Sequence, residues 1–440
     1  MTRLLTSLAV FLLAEASAFA ETNPNDISIA SFDPENAVAA DSSVEGHGIR
    51  VGEGTVLHPV LGMETGYVSN VFYTDSNPQG AGILRLLAQI SAGSVSGARL
   101  APNAVGGDNN AGDDVAFTYR ASLRASYDFM LSGNNDVTGT GGLGLGATLR
   151  GIANPAGRWS FGFSEDFTRL IRAANYETNA NTDRDINTLG LNLLYHPNDS
   201  AFGGYLYYQN TIDLFETSAQ SFADRLQHRF GVHPTWKWLP QTTIFADVSL
   251  GIFTGIANSR KVTSLPLTTV AGINTLLSLK TTFNLQAGYT NGFYSSGPSY
   301  SAPTIDASLG YRYSPLGRVT LTYDWMYQDS VNANYYRDHT VRLWLQQLVV
   351  PFIFEIQPEL HFREYQGVNT LITGAPPTRD DVIFSLITGV HYNLRDWAAA
   401  TLNYRFTDVS TDYRYTSGGV TSTNPSYARH EVLLGVRIAL

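Results

Sequence analysis

The chain has 440 residues, of which only 15% are charged, and its formal net charge is −10 at pH 7. It contains no cysteine, which excludes disulfides, lipoprotein acylation and Cys-ligated metals. After the N-terminal segment no stretch approaches about 18 uninterrupted apolar residues, so membrane-spanning helices are excluded as well. Glycine is abundant, with 40 residues, and so are tyrosine and phenylalanine, with 24 and 22.

The first twenty residues, MTRLLTSLAVFLLAEASAFA, have the order of a secretory signal peptide. Arg3 precedes an apolar run, and the small-residue pattern Ala18-Phe19-Ala20 ends the segment. A single-pass anchor is the alternative, but the apolar run is too short and Glu15 interrupts its end. We therefore expect residues 1–20 to be cleaved off near Ala20 and the mature chain to be exported.

Residues 21–54 form a polar leader that is rich in Pro, Asn, Ala and Asp and is too polar to build a core. We expect this leader to lie in the periplasm or to act as a plug. The connection at 97–114, GARLAPNAVGGDNNAGDD, is a second segment that could constrict a pore. The remaining residues, 55–440, are predicted to form the membrane domain.

From residue 55 onward, apolar and polar side chains alternate with a period of two. In RVTLTYDWMYQD, residues 318–329, one side carries Leu321 and Tyr323 and the other carries Arg318 and Asp324. Successive strand side chains point to opposite faces, so each such stretch is a strand with one apolar and one charged face. A secreted chain with this pattern predicts an all-β, transmembrane antiparallel β-barrel. A soluble β-sandwich is the alternative, but it would not explain the loop lengths.

Eighteen segments fit the pattern, each near the ten or so residues that a tilted strand needs. Tight turns such as NPAG at Asn154 and SPLG at Ser314 alternate with longer polar connections. Short periplasmic turns and longer extracellular loops are typical of outer-membrane barrels. Sixteen strands is the alternative, because 186–215 and 265–277 alternate poorly. The predicted strands are 56–68, 82–94, 115–129, 141–152, 158–171, 186–196, 201–215, 225–239, 242–254, 265–277, 279–292, 302–314, 318–328, 339–350, 352–365, 381–394, 398–408 and 427–440.

The tryptophans support this orientation. A group beside tight turns predicts an interfacial aromatic belt on the periplasmic side. Trp325 lies at the opposite end of its strand, where the outer belt is expected. The members of the periplasmic group are Trp159, Trp236, Trp238 and Trp397.

The last strand ends EVLLGVRIAL, in which Gly435, Ile438 and Leu440 resemble the C-terminal signal that the barrel-insertion machinery reads. Leu440 stands in place of the usual aromatic residue. The resemblance implies that this machinery is a partner of the chain, together with the lipid bilayer of the outer membrane. No nucleic acid and no cofactor are expected. No metal is expected either, since the nine histidines are scattered without ligand spacing.

The predicted lumen wall is basic. With the register above, fifteen basic and ten acidic side chains face inward, so the acidic excess is expected in loops such as GGDNNAGDD and PTRDD. Charge rings that line a pore select by sign, and a basic lumen favours anions. The alternative is a set of ion-pair networks that only hold the wall rigid. The candidate lumen residues are Arg120, Arg124, Arg150, Arg229, Arg312, Arg318, Arg342 and Arg405.

A family resemblance covers residues 58–95. HPVLGMETGYVSNVF, followed by GILRLLAQISAGS, resembles the first hairpin of the outer-membrane β-barrel porin 2 family. Ser69 stands where an acidic residue is common in that family. The resemblance implies a barrel that serves as an exit for exopolysaccharide, with periplasmic polysaccharide-export components as partners. The residues that carry it are Pro59, Gly66, Tyr67, Asn70, Val71 and Phe72.

Catalytic motifs do not support an enzyme. The sequence has neither G-x-S-x-G nor H-E-x-x-H. We therefore predict a passive outer-membrane channel that exports an anionic exopolysaccharide through a basic lumen. A general or anion-preferring diffusion porin for small solutes is the first alternative, and a structural or adhesive barrel is the second.

Overall fold

The computed structural model describes residues 48–51, 55–94, 116–171, 183–197, 200–368, 376–417, 420–423 and 425–440. Eighteen long strands dominate them, and we number these strands β1–β18 in chain order. They are β1 Thr55–Val68, β2 Ala81–Ser94, β3 Phe117–Leu131, β4 Gly142–Ala153, β5 Trp159–Leu170, β6 Arg184–Tyr195, β7 Phe202–Phe215, β8 Arg225–Leu239, β9 Thr242–Gly255, β10 Leu267–Ser278, β11 Thr281–Asn291, β12 Ser301–Ser314, β13 Gly317–Asp329, β14 Tyr335–Val349, β15 Phe352–Gln366, β16 Thr378–Arg395, β17 Ala398–Thr411 and β18 Tyr427–Ala439.

The strands form a closed antiparallel barrel. Each pairs with the next along the chain, and β18 pairs with β1, for example Ala439 with Val60. Closure satisfies the backbone of every strand and leaves no exposed edge. The prediction of eighteen strands is confirmed and the alternative of sixteen is wrong. The stretches 186–215 and 265–277 contribute β6, β7 and β10 despite their poor alternation, because their cross-strand partners fix the register.

A few short elements lie outside the wall. Ile49–Val51 is a short strand that folds back onto β1, so the end of the predicted polar leader extends the sheet. Residues 415–417 and 420–423 form a small hairpin between β17 and β18. Helix α1, Asn135–Thr138, and a 3-10 turn, Ser221–Ala223, lie in two loops. Among the described residues, no helix is long and apolar enough to span a membrane. The predicted signal peptide and residues 21–47 lie outside the described residues.

The two ends of the barrel differ in their connections. At one end, tight turns of a few residues join the strands, as at 240–241, 315–316 and 350–351. At the other end, longer loops join them, as at 69–80, 256–266 and 292–300. We call these the tight-turn end and the long-loop end. The connection at 97–114 belongs to the tight-turn end by strand parity and lies outside the described residues.

The outer surface of the wall is apolar. Leu61, Leu123 and Leu206 are each more than half exposed, and similar side chains recur at alternate positions of the other strands. A soluble protein would not present so large an apolar face to water. The surface is therefore that of a barrel which lies in lipid.

Three strands begin two to four residues earlier than predicted. β6 begins at Arg184 instead of 186, β14 at Tyr335 instead of 339, and β16 at Thr378 instead of 381. The prediction that PTRDD lies in a loop is therefore wrong. Its Arg379 and Asp381 form a buried ion pair of 2.6 Å on the inner face of β16.

The predicted aromatic belt and insertion signal have well-defined positions. Trp159, Trp236, Trp238 and Trp397 are 40–54% exposed and lie at the tight-turn end. Trp325 stacks on His339 on the outer face of β13, toward the long-loop end. Ile438 and Leu440 are exposed, whereas Gly435 faces inward, where an added Cβ would lie 2.8 Å from the Glu64 side chain. Their roles in membrane anchoring and insertion stay predictions.

A carboxylate lies on the lipid face near the middle of β5. Glu165 is the seventh of twelve residues in β5, and its cross-strand partners on the outer face are Leu149 and Leu189. No hydrogen bond or ion pair joins Glu165 to another residue of the described ranges. Charged groups on the lipid face destabilise a barrel in a depth-dependent way.

We expect Glu165→Leu to raise the free energy of unfolding by about 1 kcal/mol, because it removes a charge from the hydrocarbon region. Urea unfolding in liposomes, followed by tryptophan fluorescence, measures this. The matched control is Asp166→Leu, one residue along, which removes the inward partner of Arg150 and should lower stability. A loss of stability from the Glu165 change would contradict the outward placement.

Candidate functional site

The inner face of the wall is the candidate site, because its side chains meet whatever enters the barrel. Cross-strand partners fix which residues share this face, such as Gln89 with Arg124 and Asp306 with Asp324. By these pairings and the alternation along each strand, all eight candidate arginines lie on the inner face. Their part in selecting solutes stays a prediction.

Three of these arginines form a basic patch on β3 and β4. Arg120 and Arg150 are direct cross-strand partners, and Arg124 lies opposite Gly146. An added Cβ at Gly146 would lie 3.4 Å from Nε of Arg124, so the glycine leaves room for the guanidinium. Asp166 is an acidic neighbour of the patch, 3.6 Å from Arg150. The patch of Arg120, Arg124 and Arg150 therefore brings three guanidiniums together on two adjacent strands.

The opposite wall carries an acidic pair. Asp306 on β12 and Asp324 on β13 are direct cross-strand partners, and Asp324 is only 7% exposed. β4 and β13 are nine strands apart in a ring of eighteen, which puts them on opposite sides of the lumen. Charge of both signs therefore lines the path, and the patch faces its counterpart across the barrel.

Arg342 belongs to a continuous ion-pair network on β14 and β15. Its Nε and a terminal nitrogen both donate to Glu359, at 2.7 and 2.8 Å. Glu359 in turn contacts His361, which also contacts Asp338, and Asp338 accepts from Arg363 at 2.6 Å. Arg342 therefore fits the alternative interpretation, in which ion pairs hold the wall rigid.

The remaining candidates are dispersed. Arg229 on β8 donates to Ser249 at 3.0 Å, and Arg405 on β17 lies opposite Glu431. Arg312 and Arg318 lie close to the tight-turn end of β12 and β13. The eight arginines do not converge on one point; they are spread around and along the lumen.

Buried charges join distant strands at the long-loop end. Asp213 on β7 contacts Arg184 at 3.4 Å and Arg225 at 2.7 Å. Arg225 also contacts Asp329 on β13 at 2.9 Å, and Lys261 contacts the same carboxylate at 3.1 Å. We call these five residues the mouth network. Because β8 and β13 are five strands apart, the network reaches across part of the opening.

Loops fold inward beside the mouth network. Lys261, in loop 256–266, donates to the carbonyl oxygens of Ser330 and Ala333 in loop 330–334. In loop 292–300, Tyr294 donates to the Asn334 carbonyl at 2.9 Å. Burial raises the pKa of Tyr294 well above its ordinary value, so its hydroxyl keeps the proton that it donates. Three loops are thus joined to one another over the lumen.

Loop 69–80 enters the barrel from the opposite side. Tyr73 is 6% exposed and packs on Ile383, Val409 and Tyr427, which face inward from β16, β17 and β18. The Arg429 guanidinium lies 4.8 Å from the centre of its ring. An aromatic side chain that contacts three strands from within narrows the mouth.

Helix α1 extends this packing. Val137 is fully buried against the inward side chains of Ile83, Met130 and Leu433. Asn134 accepts from the Asp136 backbone at 2.9 Å and caps the helix. Loop 132–141 is therefore also held inside the barrel.

These inward loops were not predicted from the sequence. We expected constriction by residues 21–54 or 97–114, most of which lie outside the described residues. Loops 69–80, 132–141 and 256–266 fold inward instead, although they are too short to suggest it. The inward side chains Arg184, Asp338, Arg379, Asp381 and Trp344 were also missed. Among the described ranges, no group of three or more His, Cys, Asp or Glu could hold a metal ion.

Closure, an apolar outer surface and a charged interior together define a transmembrane β-barrel of the outer-membrane class. No protein-family model matches the chain, and no curated protein matches it.

Among solved structures, the barrel is similar to OccK5 (OpdH) of Pseudomonas aeruginosa. The sequence identity is 8% and the TM-score 0.43, over 87% of this chain and 98% of that one. It is also similar to OpdO of the same organism, at 10% identity and a TM-score of 0.45, over 87% and 97%. The siderophore receptor PirA of P. aeruginosa is similar at 9% sequence identity and a TM-score of 0.39. The match covers 87% of this chain and 80% of that one. Identities this low concern the fold alone.

Proposed function

We propose that the protein is a passive outer-membrane channel that passes small anionic solutes by diffusion. An eighteen-stranded barrel is wide enough to hold an aqueous path. The observation that carries the proposal is the basic patch of Arg120, Arg124 and Arg150, since adjacent guanidiniums on the inner face lower the barrier for anions. The inward loops favour small solutes, because they occupy the space that a polymer would need.

Export of an anionic exopolysaccharide is the second candidate. The resemblance of residues 58–95 to the outer-membrane β-barrel porin 2 family favours it, as does the spread of arginines along the lumen. A chain could pass between many weak sites, whereas a single tight one would hold it. This candidate requires loops 69–80 and 256–266 to move aside.

A deletion strain of the parent organism separates the two. If the channel serves small solutes, uptake of a small organic anion slows while surface polymer stays normal. If it exports polymer, capsule or slime is lost and intermediates accumulate in the periplasm. The second result would overturn diffusion as the main function.

Charge reversal tests the basic patch. Arg120→Glu with Arg124→Glu should lower the anion-to-cation permeability ratio toward or below unity, because the patch would then attract cations. Reversal potentials in planar bilayers under a KCl gradient measure this. The difference in permeability ratio between the wild type and the variant should become smaller at high salt, since charges are screened over about 10 Å at 0.1 M.

The control for charge reversal is Arg158→Glu. Arg158 lies in the turn after β4, and its guanidinium donates to the Tyr195 hydroxyl at 2.6 Å, away from the inner face. This variant should keep the wild-type ratio. An equal shift in the control and the patch variant would mean that the patch has no special part in selectivity.

A further inference from the structure

A tryptophan faces the lumen near the tight-turn end. Trp344 on β14 is the cross-strand partner of Thr320 and shares the inner face with Arg342. It is partly exposed, and the Arg318 guanidinium lies 4.2 Å from the centre of its ring. The other five tryptophans belong to the predicted belts at the two ends of the strands. An indole inside a water-filled path offers an apolar surface to a passing solute.

Two further cations lie beyond Arg318, on the side away from this indole: Arg312 on β12 and Lys280 in the turn 279–280 before β11. The Arg312 backbone N–H donates to the Lys280 carbonyl at 2.8 Å, so the turn that holds Lys280 lies beside Arg312. Arg312 on β12 and Arg318 on β13 lie across from each other, where the register of the two strands shifts between Tyr311 and Ser314. Neither Lys280 nor Arg312 has an ion pair with a carboxylate of the described residues.

Adjacent like charges on a sheet repel one another. The Arg342 network shows that this wall supplies carboxylates where a cation needs one. The three cations here are Lys280, Arg312 and Arg318. The first two have no ion pair with a carboxylate of the described residues. Their proximity favours an anion that arrives from solution.

Hydroxyl groups complete the surroundings. In the next row of the inner face, Thr282 pairs with Gly310, Gly310 with Thr320, and Thr320 with Trp344. An added Cβ at Gly310 would lie 2.4 Å from the Thr282 hydroxyl oxygen, so the glycine keeps a hollow between the two threonines. The row offers hydrogen-bond partners beside the indole.

We propose that Trp344, Lys280, Arg312 and Arg318 form a binding site for a sugar acid. The C–H face of a pyranose ring packs on the indole, its carboxylate binds the cations by charge-assisted hydrogen bonds, and its hydroxyls meet Thr282 and Thr320. The hydroxyl row favours a sugar acid over benzoate, which has no hydroxyls to pair there. This inference rests on the proposed channel function and names its solute class.

Solute-induced block of the ion current tests the site. The full-length mature protein is inserted in planar bilayers in KCl, and sodium glucuronate, glucose or benzoate is added to the tight-turn side. We expect glucuronate to interrupt the chloride current at concentrations where glucose and benzoate do not. Trp344→Leu and Arg312→Gln should each weaken the block roughly tenfold.

The control is Trp325→Leu, which removes a tryptophan from the outer face and should leave the block unchanged. Arg312→Gln is informative if Trp344→Leu does not insert, because Arg312 makes no described ion pair. Block by glucuronate that is unchanged in Arg312→Gln, or equal block by benzoate, would overturn the sugar-acid site. In that case, an anion preference of the ion current would still support the proposed channel function. A cation preference of the current would contradict that function as well.

Discussion

Asp213→Ala should lower the free energy of unfolding by about 3–5 kcal/mol, because it removes a carboxylate that two buried guanidiniums share. Asp213 is the common partner of Arg184 and Arg225, which are 1% and 3% exposed. A buried arginine does not become neutral, because its guanidinium keeps its proton at every pH at which a protein is folded. Urea unfolding in liposomes gives the free energy.

The control for this change lies nearby. Glu216 forms an ion pair with Arg169, but both side chains are more than a quarter exposed. Glu216→Ala should therefore cost less than about 1 kcal/mol. Equal losses at Asp213 and Glu216 would contradict the claim that the mouth network is a buried, tightly held structure.

Leu285→Arg should destabilise the barrel by about 2–4 kcal/mol, because it places a charge on the lipid face near the middle of the membrane. Leu285 is the fifth of eleven residues in β11 and pairs with Ile273 and Ala307 on the outer face. The same unfolding assay measures the loss.

Gln286→Arg is the matched control, because the next residue along β11 faces inward. Gln286 lies opposite Asp306, so an arginine there gains an acidic neighbour and water. We expect little change in stability. Comparable damage at both positions would favour a core with two buried faces, as in a soluble β-sandwich.

The barrel could be predicted from the sequence because the pattern that specifies it lies within each strand. Lipid on one side and water on the other impose a two-residue period, as in RVTLTYDWMYQD, and that period fixes both the strand and its inward face. Backbone pairing then requires closure. The inward placement of Arg120, Arg318 and Arg405 follows from the same alternation.

The ends of the strands were harder to predict, since polar residues there look like loop. Arg184 and Asp338 lie just before the predicted strand starts of 186 and 339, and Arg379 just before 381. All three are buried on the inner face. Arg379 pairs with Asp381 of its own strand and lies over the Tyr365 ring of β15. Arg184 and Asp338 have their partners on neighbouring strands. Local pattern gives no sign of such a partner, because the pairing joins residues far apart in sequence.

The constriction depends on contacts of the same long-range kind. Tyr73 packs on residues more than 300 positions away, and Lys261 reaches loop 330–334. Neither loop has an unusual length or composition. Trp344 was missed for a different reason: tryptophan on a predicted inner face contradicts the simple rule that polar residues point inward.

The direct test of the channel is the reversal potential of the wild-type protein in a planar bilayer under a KCl gradient. The basic patch predicts a reversal potential that is shifted from zero toward the chloride equilibrium potential. This anion preference should fall as the salt concentration rises. A strongly cation-preferring potential would contradict it, and would mean that Asp128, Asp306 and Asp324 control the path in place of Arg120, Arg124 and Arg150.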